Sequence, residues 1–216
     1  MEPDCRAFAR NARKALSDKA LQASLRSAAG RPAGQRTAAV EASPDFEPNR
    51  ERASGIKRDV LERLDTHLSR FIEEASGRGA VVHVARDAAQ ARGIAARIAR
   101  EEGVSLAVRS KSPTADEISL DDALREAGVE ILEFAPGESA PPREKVFAAG
   151  MGVSGAAFLV ADTGSVVLVT NDGNDRMAAL LPRVHLAVAG IEEIIPRMAD
   201  LPVFLRLLPR GAAGRT

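Results

Sequence analysis

Four short stretches of this chain carry side chains with usable chemistry. The first is Asp162-Thr163-Gly164-Ser165, a tight turn between two apolar runs. Gly164 permits backbone conformations closed to other residues and exposes N–H groups, so the turn is a candidate cradle for a small anionic ligand. Within it Asp162 can orient a hydroxyl or accept a proton, and Thr163 adds a hydroxyl. Asp also holds turns through its own side chain-to-backbone bond, and that local reading stands beside the chemical one. The second stretch is Asn171-Asp172-Gly173-Asn174, good turn chemistry, followed by Arg176, a guanidinium suited to clamping a carboxylate. The third is Arg109-Ser110-Lys111-Ser112. Lys111 can neutralise a carboxylate or phosphate and Ser112 can add a donor; the alternatives are a solvated basic turn or a helix cap. The fourth is His185, which follows the polar loop and Pro182 and is a candidate general acid or ligand donor.

Other patterns fail on context. Gly150-Met-Gly152-Val-Ser-Gly155 has the spacing of a dinucleotide fingerprint, but an apolar strand follows it where a helix is required. There is no phosphate-binding loop and no nucleophile elbow around Ser154. His67 and His83 are too scattered for a metal site and read as structural imidazoles.

The elements that must position these residues follow from periodicity. Apolar positions at helical spacing predict a basic helix over 6–28, and 30–48 reads as a linker rich in Gly, Pro, Ala and Ser. A long helix is predicted over 51–76, stopped by Gly77 and Gly79. Ala80–Ala85 reads as a strand, Asp87 caps a helix ending near Gly103, and Ser105–Arg109 is the next strand. Ser112-Pro113-Thr114 opens a loop before a helix over 116–127, and Val129–Leu132 is a third strand. A connection over 133–152 holds a short helix near Val146. Ala157–Val160, Val166–Val169 and Leu186–Val188 supply further strands, 191–198 a short helix, and the tail from Pro209 reads as frayed. The alternation predicts an α/β fold with an open, mostly parallel sheet flanked by helices, plus an N-terminal helical arm. Residues 1–48 form the arm and linker, and 49–216 the domain.

Composition narrows the function classes. The chain has 216 residues, 45% of them hydrophobic, enough for a sizeable core. Neither Trp nor Tyr occurs, which disfavours base-stacking platforms, and the net charge of zero gives no attraction to nucleic acid or anionic membrane. A single cysteine, Cys5, excludes intramolecular disulfides and any Cys-ligated cluster or zinc site built by this chain alone. No apolar run resembles a signal peptide or a membrane span, so a cytoplasmic protein is expected.

The block from Ala161 to Met177, ADTGSVVLVTNDGNDRM, resembles the central motif of LUD-domain (lactate utilisation) proteins. Leu181-Pro-Arg-Val-His185 and then Gly190-Ile-Glu-Glu-Ile-Ile-Pro196 continue it in order. Upstream, Ser110 to Ile118 is similar to the family's Lys-Ser segment, and Ile56-Lys57 to its N-terminal helix. The resemblance implies a fold similar to the ribose-phosphate isomerase, glucosamine-phosphate deaminase and CoA-transferase group. It also implies a part in oxidising L-lactate to pyruvate alongside iron–sulfur proteins. Carried over by motif, the candidate site residues are Lys111, Ser112, Asp162, Thr163, Gly164, Asn171, Asn174, Arg176 and His185. Lys111, Arg176 and the Asp162 turn would hold the lactate carboxylate and hydroxyl, with His185 as proton acceptor.

Relative to larger members, the chain lacks a His-rich insertion before the central motif and a ferredoxin-like domain after it. The resemblance therefore implies an accessory subunit that binds no cofactor or metal itself, with the clusters on partner proteins. A small carboxylate is the expected substrate, and a neighbouring copy of the chain can complete such a site. Two other readings stand: a stand-alone enzyme of the isomerase or CoA-transferase type acting on a sugar phosphate or acyl-CoA, and a non-catalytic binding module.

Overall fold

The computed structural model describes residues 8–22, 34, 36–134, 143–170 and 173–213. The chain divides into two compact units, one formed by 1–55 with 201–216 and the other by 56–200.

In the first unit, α1 (Phe8–Ser17) forms within the arm helix expected over 6–28, of which 6–7 and 23–28 lie outside the described residues. Asp18 interrupts it and accepts from the Leu21 N–H (2.9 Å), starting a new turn. Leu16 is 72% exposed, so its apolar position is not core. The reading of 30–48 as linker is corrected: 36–41 is helical, and α2 (Phe46–Glu62) begins before Pro48, which sits in its first turn. The tail is corrected too. Helix α9 (Leu201–Ala213) runs through Pro209.

In the second unit, the long helix expected over 51–76 is two helices. It breaks at Arg63, which leaves helical geometry (φ −132°) before α3 (Leu64–Ser76). Helix α4 (Ala88–Glu101) starts at Asp87, whose carboxylate accepts from the Gln90 N–H at 2.8 Å. Strand β1 (Leu106–Arg109) leads to two short helices rather than one, α5 (Pro113–Glu117) and α6 (Leu120–Glu126), separated by Ser119 in the left-handed region (φ 52°). Strand β2 (Glu130–Glu133), helix α7 (Arg143–Ala148) and strand β3 (Met151–Ser154) follow. Next come the β4 (Phe158–Val160) and β5 (Ser165–Val167) hairpin, α8 (Asn174–Leu180) and β6 (Val184–Ala187). A 3-10 turn, strand β7 (Ile194–Ile195) and a second 3-10 turn replace the helix expected over 191–198.

Strands β2-β1-β3-β6 form a parallel sheet, as the alternating pattern requires. Its two faces bury different sets. On one, Ala107, Met151 and Val153 pack with Ala95, Ala99, Leu120 and Leu124 of the covering helices. On the other, Val108 packs with Val146 of α7, Ala149 just after it and Ala178 of α8. A sheet covered on both faces needs apolar residues at consecutive positions, as in Leu106-Ala107-Val108 of β1. The hairpin and β7 make a separate sheet, β5-β4-β7, whose core joins Val60, Phe71, Ala75, Ala161 and Ile194.

Two strand expectations are overturned. Among the described residues Ala80–Ala85 pairs with no strand; Val82 packs against a core, while Val81 is 80% exposed. Apolar, β-branched residues suit a strand, but they do not by themselves supply a pairing partner. Conversely, the connection expected over 133–152 contains the start of β3, a central strand hidden by its glycines. Gly152 is there because α8 crosses so closely that a Cβ would lie 1.7 Å from the Ala178 carbonyl oxygen.

That contact is testable. Gly152→Ala should lower stability by about 1–3 kcal/mol or more, since backbone must move to admit the methyl group. Gly93→Ala, in helix α4 with open space at the Cβ position, should be neutral or stabilising by up to about 1 kcal/mol. Paired thermal melts measure both.

Candidate functional site

In a parallel sheet, residues in register present their side chains to the same face. Gly152 is in register with His185, and Ser154, two residues on, shares that face. Ser154 and His185 therefore project from the same face on adjacent strands. His185 Nε2 lies 2.8 Å from Ser154 Oγ, and the same Oγ donates to the Gly155 carbonyl at 2.9 Å. Ser154 is fully buried, whereas His185 is exposed on β6, an edge strand. Surrounding protein still desolvates the ring and lowers its pKa below the ordinary value, so the neutral imidazole dominates at neutral pH.

Beside Ser154, β1 ends in Ser110-Lys111-Ser112. The Ser110 N–H extends the pairing by donating to the Val153 carbonyl (2.9 Å), and its buried hydroxyl lies 3.5 Å from that oxygen. Ser112 is fully buried and caps α5, accepting from the Ala115 N–H at 3.2 Å, with Pro113 at the first helical position. Its hydroxyl also abuts Gly155, where a Cβ would lie 3.0 Å away. Lys111 is exposed between these serines and has no ion-pair partner among the described residues. This is the carboxyl edge of the sheet, where open α/β folds bind ligands.

Arg109 secures that edge from the opposite face. It is buried and pairs with Asp116, with Asp121 at 2.8 Å and with Glu133 at 3.9 Å. Its Nη2 also lies 3.5 Å from the Ser112 carbonyl. The carboxylates hold the guanidinium charged, raising its pKa against burial, which acts the other way.

Helix α8 covers the Gly152 face. Arg176 is exposed in its first turn, two residues before the Ala178 that touches Gly152, or about 3 Å along the axis. Thr170 Oγ1 accepts from the Gly173 N–H (3.0 Å) and closes the loop before it. Asn174 is the first residue of α8; Asn171 lies outside the described residues.

Asp162, Thr163 and Gly164 lie together in the hairpin of the other sheet. Asp162 Oδ1 accepts from the Met198 N–H (2.9 Å), and Thr163 Oγ1 donates to Ser165 Oγ (2.9 Å). Gly164 has φ 62° and packs against α3, where a Cβ would meet the Ala75 nitrogen at 2.3 Å. The structure thus gathers Lys111, Ser112 and His185 at one sheet edge and places the Asp162 turn on a different sheet. Ser154 and Ser110 stand beside these candidates at the sheet edge and carried no site reading from the sequence. The available signal was period 2 in Met151-Gly-Val-Ser154, which sets Gly152 and Ser154 on one face.

Comparison with known proteins gives a consistent result. The family model for the LUD domain matches residues 68–216. Lactate utilization protein B from Bacillus pumilus is 30% identical, matched over all of this chain and 56% of its own length. The uncharacterized electron transport protein YkgF from Escherichia coli is 29% identical over 96% of the chain and 54% of its own length. Lactate utilization protein B from Bacillus cereus strain AH187 is 30% identical over 93% of the chain and 52% of its own length. The chain thus spans about half the length of the curated relatives it matches. No solved structure gives a significant match. Among the described residues, no helix is long and apolar enough to cross a membrane.

The lowered pKa of His185 has a definite sign. The folded state resists protonating it, so the unfolded chain binds more protons around the ordinary value. The resulting stability is present above about pH 6.5 and is lost as pH falls through that value toward the folded pKa. An NMR titration of the His185 ring should give a midpoint below about 6.5. A midpoint above it contradicts the desolvated environment.

Proposed function

Because this chain belongs to the LUD domain family, we propose that it is a cytoplasmic lactate utilisation protein serving an L-lactate-oxidising system whose iron–sulfur clusters sit on partner proteins. The observation that carries this reading is similarity to proteins named lactate utilization protein B along essentially the whole chain. We place its α/β domain in the ribose-phosphate isomerase, glucosamine-phosphate deaminase and CoA-transferase group. A parallel sheet with helices on both faces supports that placement.

The site chemistry suits a small hydroxy acid. Lys111 offers an exposed ammonium at the carboxyl edge, a partner for a carboxylate. Neutral His185 on the neighbouring strand pair offers a proton acceptor. Arg176 supplies a second cation from α8, and Ser112 fixes the loop that carries Lys111. The division of labour keeps ligand handling on this chain and electron transfer on its partners.

Gene deletion followed by growth on L-lactate as sole carbon source tests the role. Deletion should abolish growth, and wild type should restore it, whereas Lys111→Ala and His185→Gln should each reduce the growth rate at least tenfold. Normal growth of a deletion strain without paralogues overturns the lactate role. Full rescue by both variants overturns the site.

A further inference from the structure

A single hydroxyl proton decides how His185 is wired. Ser154 Oγ lies 2.9 Å from the Gly155 carbonyl oxygen and 2.8 Å from His185 Nε2. A carbonyl oxygen only accepts, so the contact with Gly155 is made with the one Oγ–H proton directed to it. Oγ then has only lone pairs to offer the imidazole, and Nε2 must supply the hydrogen. Since the neutral ring carries one proton, Nδ1 holds the lone pair. Nδ1 has no hydrogen-bond partner among the described residues, and His185 is exposed.

We propose that Ser154 is a positioning residue that fixes His185 as the Nε2–H tautomer, leaving Nδ1 to accept the hydroxyl proton of a 2-hydroxy acid at the carboxyl edge of the sheet. The ligand class rests on the lactate reading above; the tautomer does not. The step moves one proton and no electrons. The hydroxyl O–H bond breaks as an N–H bond forms at Nδ1, giving an alkoxide and an imidazolium. As the ring gains charge, its Nε2–H bond to Ser154 strengthens, so the serine stabilises the product of the transfer. Burial of Ser154 keeps water from competing for that bond.

The test uses the full chain labelled with ¹⁵N-histidine at neutral pH. Only three histidines are present, and His185→Gln assigns the signal. Wild type should show a pyridine-type ¹⁵N shift at Nδ1 and a pyrrole-type shift at Nε2. Ser154→Ala should lose this single-tautomer signature, and Ser154→Thr, which keeps the hydroxyl, should recover it; circular dichroism checks that both fold. A lone pair at Nε2 in wild type overturns the proposal, and that spectrum decides it even where a variant does not fold. L-lactate added to wild type should move the Nδ1 signal more than Nε2, and an unmoved Nδ1 overturns the ligand half. Failure of the lactate growth experiment with the tautomer intact overturns the metabolic reading and leaves the serine–histidine wiring standing.

Discussion

The tightest of the glycine contacts among the described residues, helix α8 on strand β3 at Gly152, sets the terms around the candidate site. A Cβ there would sit 1.7 Å from the Ala178 carbonyl oxygen, so the helix rests on the strand's bare backbone. Interiors are packed like crystals, and a contact this close admits little sliding. It fixes the height of α8 above the sheet and hence the place of Arg176 and of the loop that Thr170 closes. It also leaves the strand's one polar side chain, Ser154, beside the imidazole of His185 in the next strand.

The opposite face meets a different requirement, that of holding a polar loop at the end of a buried strand. Arg109 does this from within the sheet, tying Asp116 of α5 and Asp121 of α6 to the end of β1. A buried ion pair adds little net stability, because desolvation offsets its attraction, but breaking one is costly. Its effect here is positional. With the guanidinium fixed, α5 begins where Ser112 can cap it, and Lys111 is left pointing outward between two buried serines. An Asp121 oxygen and Arg109 Nε stay without hydrogen-bond partners among the described residues. The cluster trades full satisfaction for a single arrangement.

What was legible in the sequence was what is locally encoded. Asp87 before a run of alanines signals a cap, and its carboxylate does accept from Gln90. Strands β1 and β2 announce themselves by apolar residues between turn signals. The site edge was legible as far as Lys111, Ser112 and His185, each marked by residue type beside a strand or turn. What escaped depends on distant partners. Ser154 meets His185 only because β3 and β6 pair, 31 residues apart in the chain. Ile194-Ile195 has helical neighbours in sequence but pairs with β4, and Gly190 and Pro196 bound it too tightly for a helix. Ala80–Ala85 has a strand's side chains and pairs with no strand among the described residues.

The Asp162 turn shows how distinctive wording can arise from packing. Its backbone N–H donates to the Pro196 carbonyl at 3.1 Å while its carboxylate accepts from Met198, so one residue ties the hairpin to the chain after β7 at two points. Gly164 must satisfy two conditions at once, a left-handed φ and a surface bare enough for α3 to touch. Each condition alone favours glycine, and both together admit almost nothing else. Residue choice in the turn is thus narrowed by packing before any ligand is considered. At the sheet edge the constraint is looser and chemical. Lys111 and His185 are exposed, so packing does not dictate their identity. Their residue types are what proton and carboxylate handling would select.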